Sequence, residues 1–220
     1  MPETQPPDRV PPQAAYRDHP FDQSTYQVRL EWGVEGLARL APADVIVLVD
    51  VLGLSSAAIH AVELGTTLRA DAEPAATALI AAAGRSGAVV LVGGIRNAGA
   101  VAAAVLAAQT RRGARTSVAL IALGEPTAGA SLRFTVEDLL GAGAVIAALA
   151  DRGIDHSSPE AAAACESFRG LRRATRHLLT ASGSGQELLD RGARDEVLDV
   201  AAVDAASVVP VLREGSFVAY

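Results

Sequence analysis

Residues 45–56 combine the pattern of a buried strand with side chains that could do chemistry. A run of Val, Ile and Leu ends in a single carboxylate, Asp50, and is followed by Gly53 and the hydroxyls of Ser55 and Ser56. Ligands of open α/β sheets bind outside the carboxyl ends of the strands, so Asp50 is placed to hold a metal ion or polarise a substrate. Asp50 could instead only anchor its own loop through backbone N–H groups. Position alone leaves both roles open.

Ser55 and Ser56 stand where a helical pattern begins. A hydroxyl at this position can cap the helix, which contributes about 1 kcal/mol. It can also join the backbone N–H groups of the helix start around a phosphate. The two roles are compatible, and both serines are candidate substrate-binding residues.

A second turn, residues 93–97, lies between a predicted strand and a predicted helix. Gly93 and Gly94 allow the backbone to approach a ligand closely, and Arg96 could form a forked contact with a phosphate or carboxylate. The turn has neither the dinucleotide-binding nor the Walker A pattern. The alternative is a tight turn in which Asn97 caps the next helix.

Three further acidic residues could reach the same edge of the sheet. Glu125 follows a predicted strand, and Glu137 and Asp138 open the helix after it. The helix dipole favours acidic residues in a first turn by about 0.3–1 kcal/mol, which is enough to explain one of the pair. If they converge with Asp50, they supply the oxygen ligands that Mg²⁺ prefers, with water and substrate phosphate completing its coordination.

Strands and helices alternate along the chain and must position these residues. This alternation predicts an α/β fold of three α/β/α layers, with a largely parallel or mixed sheet and a helical C-terminal third. Strands are predicted at 26–32, 45–49, 66–70, 88–92, 116–122 and 208–212, and helices at 33–40, 56–64, 74–83, 97–109, 135–150 and 158–179, with a short one around Leu188.

Local signals refine the C-terminal elements. Residues 135–138 have the Thr-x-x-Asp form of a capping box, and Ser158 with Pro159 is a strong helix start. Residues 182–185 are predicted to be a linker. Pro210 cannot donate a ladder hydrogen bond, so its strand is predicted at an edge of the sheet.

Composition narrows the function class. The net charge of −6, with 19 Arg and no Lys, argues against nucleic-acid binding. No apolar run is long enough to span a membrane, and the single Cys165 allows no disulfide within the chain, which favours the cytoplasm. The proline-rich residues 1–25 are predicted to be a disordered tail before a single α/β domain over 26–220.

Four blocks of the chain together resemble the 2-phosphosulpholactate phosphatases of coenzyme M biosynthesis. Their order and approximate spacing are kept through the last half of the chain, and the resemblance covers about residues 27–219. The blocks are residues 45–56; residues 94–98; Gly124 and Glu125 with residues 132–144; and residues 184–188 with Gly192, Asp195, Asp204 and residues 209–219.

The resemblance implies Mg²⁺-dependent hydrolysis of a phosphate monoester on a small sulfonated acid. It places Asp50 at a metal position, Arg96 and Asn97 at the family's Arg-Asn turn, and the other carboxylates at acidic family positions. The partner would be a small phosphorylated acid, not nucleic acid or a membrane, and the Ala-rich helices could pack within one subunit or in a homodimer. The predicted site residues are Asp50 and Glu125 as catalytic; Ser55, Ser56, Gly94, Arg96 and Asn97 for substrate; and Asp50, Glu125, Glu137 and Asp138 for the metal.

The chain departs from the family in three places. A segment with Gly-Asn-Ser-Pro-like and Asn-Gly motifs is missing between Ala70 and Gly94, and two family arginines are replaced by Gly53 and Gln186. Losing two cations weakens a site for a polyanion. The alternative function is therefore a catalytically silent homologue that serves in binding or assembly. A third hypothesis is a nucleotide or phosphosugar binder that uses the two turns.

Overall fold

Short buried strands and the helices between them make up the computed structural model, which describes residues 19–127 and 131–220. Most elements lie within a few residues of their predicted positions. The strands are β1 (Val28–Trp32), β2 (Val45–Val49), β3 (Leu68–Arg69), β4 (Val89–Val92), β5 (Val118–Ala122), β6 (Glu125–Pro126), β7 (Leu132–Arg133), β8 (Pro210–Arg213) and β9 (Ser216–Ala219). The helices are α1 (Gly33–Arg39), α2 (Leu54–Glu63), α3 (Thr77–Gly84), α4 (Ala98–Arg112), α5 (Val136–Ala150), α6 (Pro159–Leu171), α7 (Thr175–Ala181), α8 (Gly183–Asp190) and α9 (Arg194–Val200).

Seven of these strands form one mixed sheet, in the order β1-β5-β2-β4-β8-β9-β3. The neighbours among β1, β5, β2 and β4 are parallel, and β8, β9 and β3 each pair antiparallel. The carboxyl ends of β2, β4 and β5 therefore lie side by side at one edge. This is the edge at which the sequence places Asp50, the 93–97 turn and Glu125.

Helices cover both faces of the sheet, which confirms the predicted three-layer fold. Val47 and Leu120 point into a core shared with α4 and α5. Ile46 and Ile121 point the other way, into a core shared with α2 and α3. Burial of each such aliphatic side chain contributes about 1.5–3 kcal/mol, so the alternation along β2 and β5 stabilises both layers.

The C-terminal helices differ from the prediction. The helix expected over 158–179 breaks at residues 172–174, where the buried Thr175 donates its hydroxyl hydrogen to the carbonyl of Arg172 at 2.9 Å. Residues 182–185 are not a linker, because Ser182 caps α8 by accepting from the Gly185 N–H at 3.1 Å. Helix α9, which the sequence did not predict, buries Val197 and Val200 one turn apart.

The prediction that the strand of Pro210 lies at an edge of the sheet is wrong. Strand β8 is not at an edge, because it lies between β4 and β9, and Pro210 is its first residue, where a missing donor is tolerated. Strand β1 is at one edge of the sheet. There the Gln23 side chain pairs with the backbone of Leu30, accepting from its N–H at 3.2 Å and donating to its carbonyl at 3.0 Å.

The predicted tail is ordered where the structure describes it. Residues 20–22 form a 3₁₀ turn, and Asp22 and Gln23 are buried. The prediction of disorder for residues 1–18 lies outside the described residues. Among the helices in the described ranges, none has the length and apolar character that crossing a bilayer requires.

Candidate active site

Ser55 joins the turns that follow β2 and β4. Its buried Oγ accepts from the Asp50 N–H at 3.0 Å and donates to the Gly93 carbonyl at 2.8 Å. The hydroxyl hydrogen is thus committed to the neighbouring turn. Ser55 holds two strand ends together, and its neighbour Ser56, which is only half-buried, is the better placed to meet a ligand.

Asp50 has the first of the two roles considered from the sequence, that of a loop anchor. Its Oδ2 accepts from the Leu54 N–H at 2.8 Å, which anchors the start of α2, while Oδ1 has no hydrogen-bond partner among the described residues. Burial raises the pKa of Asp50 to about 6, and the charges of Glu73 and Glu137 add to the rise. Asp50 is therefore a loop anchor with one oxygen free of hydrogen bonds to the described residues, and the charges of Glu73 and Glu137 act on it.

Gly53 packs directly on this carboxylate. A Cβ built on Gly53 would lie 2.4 Å from Oδ2 of Asp50, and real Cβ contacts are never that close. A side chain at position 53 would therefore require the Asp50 carboxylate to move.

Asp138 ties the loops of the site together from inside the protein. It is fully buried and accepts from the Val51 N–H at 2.8 Å, the Gly124 N–H at 3.0 Å and the Thr135 hydroxyl at 2.7 Å. Burial, and then the charge of Asp50, raises the pKa of Asp138 to about 8. Thr135 is at the predicted N-cap position, but its hydroxyl bonds to Asp138 and not to a helix N–H, so the capping box is not formed.

Glu137 and Glu125 lie in different surroundings. The Glu137 side chain is 3% exposed and makes no hydrogen bond within the described ranges, yet its charge reaches Asp50 and Arg133. Glu125 is on the exposed β6–β7 hairpin and accepts from Arg133 Nε at 2.6 Å. The charge of Glu137 thus acts on Asp50, whereas Glu125 is paired with Arg133 on its own hairpin.

Asn97 braces the second turn. It is fully buried; its Oδ1 accepts from the Gly94 N–H at 3.0 Å, and its Nδ2 donates to the carbonyls of Val92 at 3.3 Å and Val208 at 3.1 Å. It occupies the N-cap position of α4 without a capping hydrogen bond. All of its contacts are to the backbone, so Asn97 shapes the turn and fastens the C-terminal segment to it.

Arg96 is already paired with acidic residues. Its side chain is 15% exposed, with Nη1 2.5 Å from Glu63 and Nε 3.1 Å from Asp199. The Nε contact has the distance of an ion pair but not the direction of a hydrogen bond. Arg96, predicted to contact phosphate, is therefore paired with two carboxylates instead.

A cavity of about 480 Å³ opens in front of Arg96. A smaller cavity adjoins it through Ser56 and Arg96 and reaches Ser55 and Gly94. Four of the predicted substrate-binding residues therefore line one or both of these two cavities, while Asn97 lines neither. The larger cavity is lined by Ser56, Ala57, His60, Arg96, Asp195, Glu196 and Asp199.

The side chains alone do not form a metal centre in the described part of the chain, which has no group of three or more His, Cys, Asp or Glu suited to one. Mg²⁺ is usually held by one or two carboxylates, with water and substrate phosphate completing the shell. Asp50 and Glu137 fit that smaller set, because each keeps an oxygen without a hydrogen bond. Asp138 does not, since three donors occupy its oxygens, and Glu125 is taken by Arg133.

Comparison with known families shows to which family the chain belongs. The sequence model of the 2-phosphosulpholactate phosphatase family matches residues 74–215, more than half of the chain. The chain belongs to this family. No curated protein matches it.

The family match covers one part of the site and not the other. It includes the 93–97 turn, Glu125, Glu137 and Asp138, but it begins after Asp50 and the two serines. The structure joins the two parts, because Asp138 bonds to the Val51 N–H and Ser55 bonds to Gly93. The place of Asp50 in the family pattern still depends on the resemblance of residues 45–56.

Several charged residues of the site were not predicted from the sequence. Arg133 and Asp195 stand inside the family-like blocks, so they could have been found there. Glu73 and Asp199 gave no local signal. They become visible only when the loop before α3 and helix α9 are placed against the strand ends.

Proposed function

We propose that the chain is a Mg²⁺-dependent phosphatase that hydrolyses the phosphate monoester of a small acid. Membership of the 2-phosphosulpholactate phosphatase family carries this proposal. The charge of Glu137, which helps to raise the pKa of Asp50 at the carboxyl edge of the sheet, supports it, because a bound cation would offset this repulsion.

The residues of the chain divide the work as follows. Asp50 and Glu137 would hold Mg²⁺, which when bound offsets the charge of the phosphate and orients or activates the attacking water. Ser56, at the start of α2, would receive the phosphate in the cavity, where the end of the helix favours an anion. Asp138 would keep the strand-end loops in register through its three hydrogen bonds.

The direct test is phosphate release from 2-phosphosulpholactate and from 4-nitrophenyl phosphate, with Mg²⁺ and with a chelator. We expect release only with Mg²⁺ and at least a 100-fold loss in Asp50→Asn and in Glu137→Gln, because each substitution removes a metal ligand. Glu160→Gln, an exposed first-turn carboxylate of α6, is the matched control and should keep full activity. A folded protein that releases no phosphate with Mg²⁺ would refute the proposal.

A catalytically silent family member, serving in binding or assembly, is the second candidate. It is favoured by Arg96, whose charge is already neutralised by Glu63 and Asp199. A metal titration separates the two candidates, because a ligand that binds the folded state raises the melting temperature. A rise with Mg²⁺ that disappears in Asp50→Asn supports the phosphatase, whereas no rise, together with no turnover, supports the silent homologue.

A further inference from the structure

One edge of the Arg96 guanidinium group is not satisfied by its acidic partners. Nη1 donates a hydrogen bond to Glu63 at 2.5 Å. Nε is 3.1 Å from Asp199, but this contact lacks the direction of a hydrogen bond, and the buried Nε has no acceptor in the part of the chain that the structure describes. Leaving a buried donor unpaired is unfavourable. The Nε edge therefore keeps a hydrogen for an acceptor that approaches in a better direction.

The two carboxylates around Arg96 are held with different firmness. The Glu63 side chain is 27% exposed, whereas the Asp199 side chain is 56% exposed. Exposed ion pairs contribute little to stability, because water and salt compete for both charges. Val197 and Val200 fix helix α9 in the core, so the Asp199 side chain can rotate into solvent while the helix stays in place. Asp199 is thus the partner that an incoming anion can replace.

The backbone of Arg96 is fixed, and its side chain borders the cavity. The Arg96 carbonyl accepts from the Ala206 N–H at 2.8 Å, which holds the turn against the C-terminal segment. Arg96, Asp199 and Ser56 all line the cavity of about 480 Å³. A guanidinium group binds phosphate through two parallel N–H bonds, a geometry that the Asp199 contact does not achieve. A phosphate group in this cavity therefore reaches the Nε edge once Asp199 turns away.

We propose that Asp199 is an internal competitor for the phosphate-binding edge of Arg96 and thereby sets the KM of the reaction. In the free protein its carboxylate lies where an oxygen of the substrate phosphate binds, and the substrate displaces it. The inference rests on the proposed function, since it concerns binding of the same phosphate monoester. What it adds is a residue that weakens the binding of the substrate and takes no part in the chemical step.

Asp199→Asn tests the competition, because it removes the charge and keeps the size of the side chain. With Mg²⁺ present, we expect the Kd of inorganic phosphate, measured by calorimetric titration, to fall about three- to fivefold, the gain expected when an exposed ion pair no longer competes. The KM for 4-nitrophenyl phosphate should fall by the same factor, with kcat within twofold of the wild type. Asp199→Ala, which adds no amide donor, should act in the same direction.

Two further variants separate competition from a general effect of charge. Asp190→Asn removes one exposed carboxylate from the end of α8, the helix that precedes α9, and should leave Kd and KM unchanged. In an Arg96→Gln background, Asp199→Asn should no longer lower the Kd of phosphate, because the contested guanidinium is gone. Effects of contacting residues are non-additive in this way, whereas effects of independent residues add.

The outcomes distinguish this inference from the proposed function. A Kd and a KM that neither Asp199 variant lowers, or a gain that persists in the Arg96→Gln background, overturn the inference and leave the phosphatase intact. A wild-type protein that releases no phosphate overturns the proposed function. The Kd of inorganic phosphate then decides the inference: a gain in Asp199→Asn that Arg96→Gln removes supports it, and an unchanged Kd or no measurable binding in any variant refutes it.

Discussion

Replacing Asp138 should disconnect the loops that carry the candidate site. Asp138→Ala leaves the buried N–H groups of Val51 and Gly124 without an acceptor, and also frees the Thr135 hydroxyl. A buried donor left unpaired costs about 1–3 kcal/mol. Removing a poorly solvated carboxyl offsets part of this, so we expect the free energy of unfolding to fall by about 3–4 kcal/mol. For a chain of this length, that lowers the melting temperature by roughly 10 °C.

Urea denaturation with a chelator present measures this effect. We expect Asp138→Ala to lower the midpoint without changing the slope, which would mean a change of stability and not of compactness. Asp138→Asn keeps one carbonyl oxygen, so its cost should be smaller, about 1–2 kcal/mol. Glu160→Ala, which removes an exposed carboxylate from the first turn of another helix, should stay within about 0.5 kcal/mol of the wild type. If Asp138→Ala costs no more than Glu160→Ala, the reasoning about the buried carboxyl is wrong.

Three further predictions concern the frame of the site. Gly143→Ala would place a Cβ 2.1 Å from a carbonyl oxygen of α6 and should lower the free energy of unfolding by about 2–3 kcal/mol. Gly170→Ala, in open space within α6, should raise it by up to about 1 kcal/mol. The urea midpoints of the two variants measure the difference. Without metal, the free energy of unfolding should fall as pH rises from about 4 to about 8, by up to about 1.4 kcal/mol per pH unit, because folded Asp138 keeps a proton that the unfolded chain has released. Thermal melts at a series of pH values should show this slope in the wild type and a smaller one in Asp138→Asn. Equal slopes would contradict the prediction. Gln23→Ala removes both hydrogen bonds to Leu30 and should cost about 1–2 kcal/mol, with faster hydrogen exchange along β1 and no change at the strand-end turns.

The layered fold could be predicted because its signals are local. The run of Val, Ile and Leu at residues 45–49 is buried throughout and forms β2 as predicted. Helix α9 is short and has only two buried valines one turn apart, so the sequence shows too little hydrophobic periodicity to predict it. The sheet position of β8 depends on pairing with β4 and β9, which Pro210 alone does not reveal.

The site was less predictable, because its residues are defined by partners far away in the sequence. The turn around Arg96 has the local form of an anion site, yet Glu63 and Asp199 approach from other helices and change what the guanidinium can do. Ser55 likewise has the position of a phosphate ligand, but its hydroxyl is used between two strand ends. The sequence places the candidate residues at one edge of the sheet, and tertiary contacts decide which of their side chains remain without a partner there.

The most direct test of the account is phosphate release from a small phosphate monoester by the folded chain, measured with Mg²⁺, with a chelator, and again in Asp50→Asn. The account predicts release with Mg²⁺ that stops with the chelator and falls at least 100-fold in the variant. Release that is unaffected by the chelator and by Asp50→Asn would contradict it, as would a folded wild-type protein that releases none.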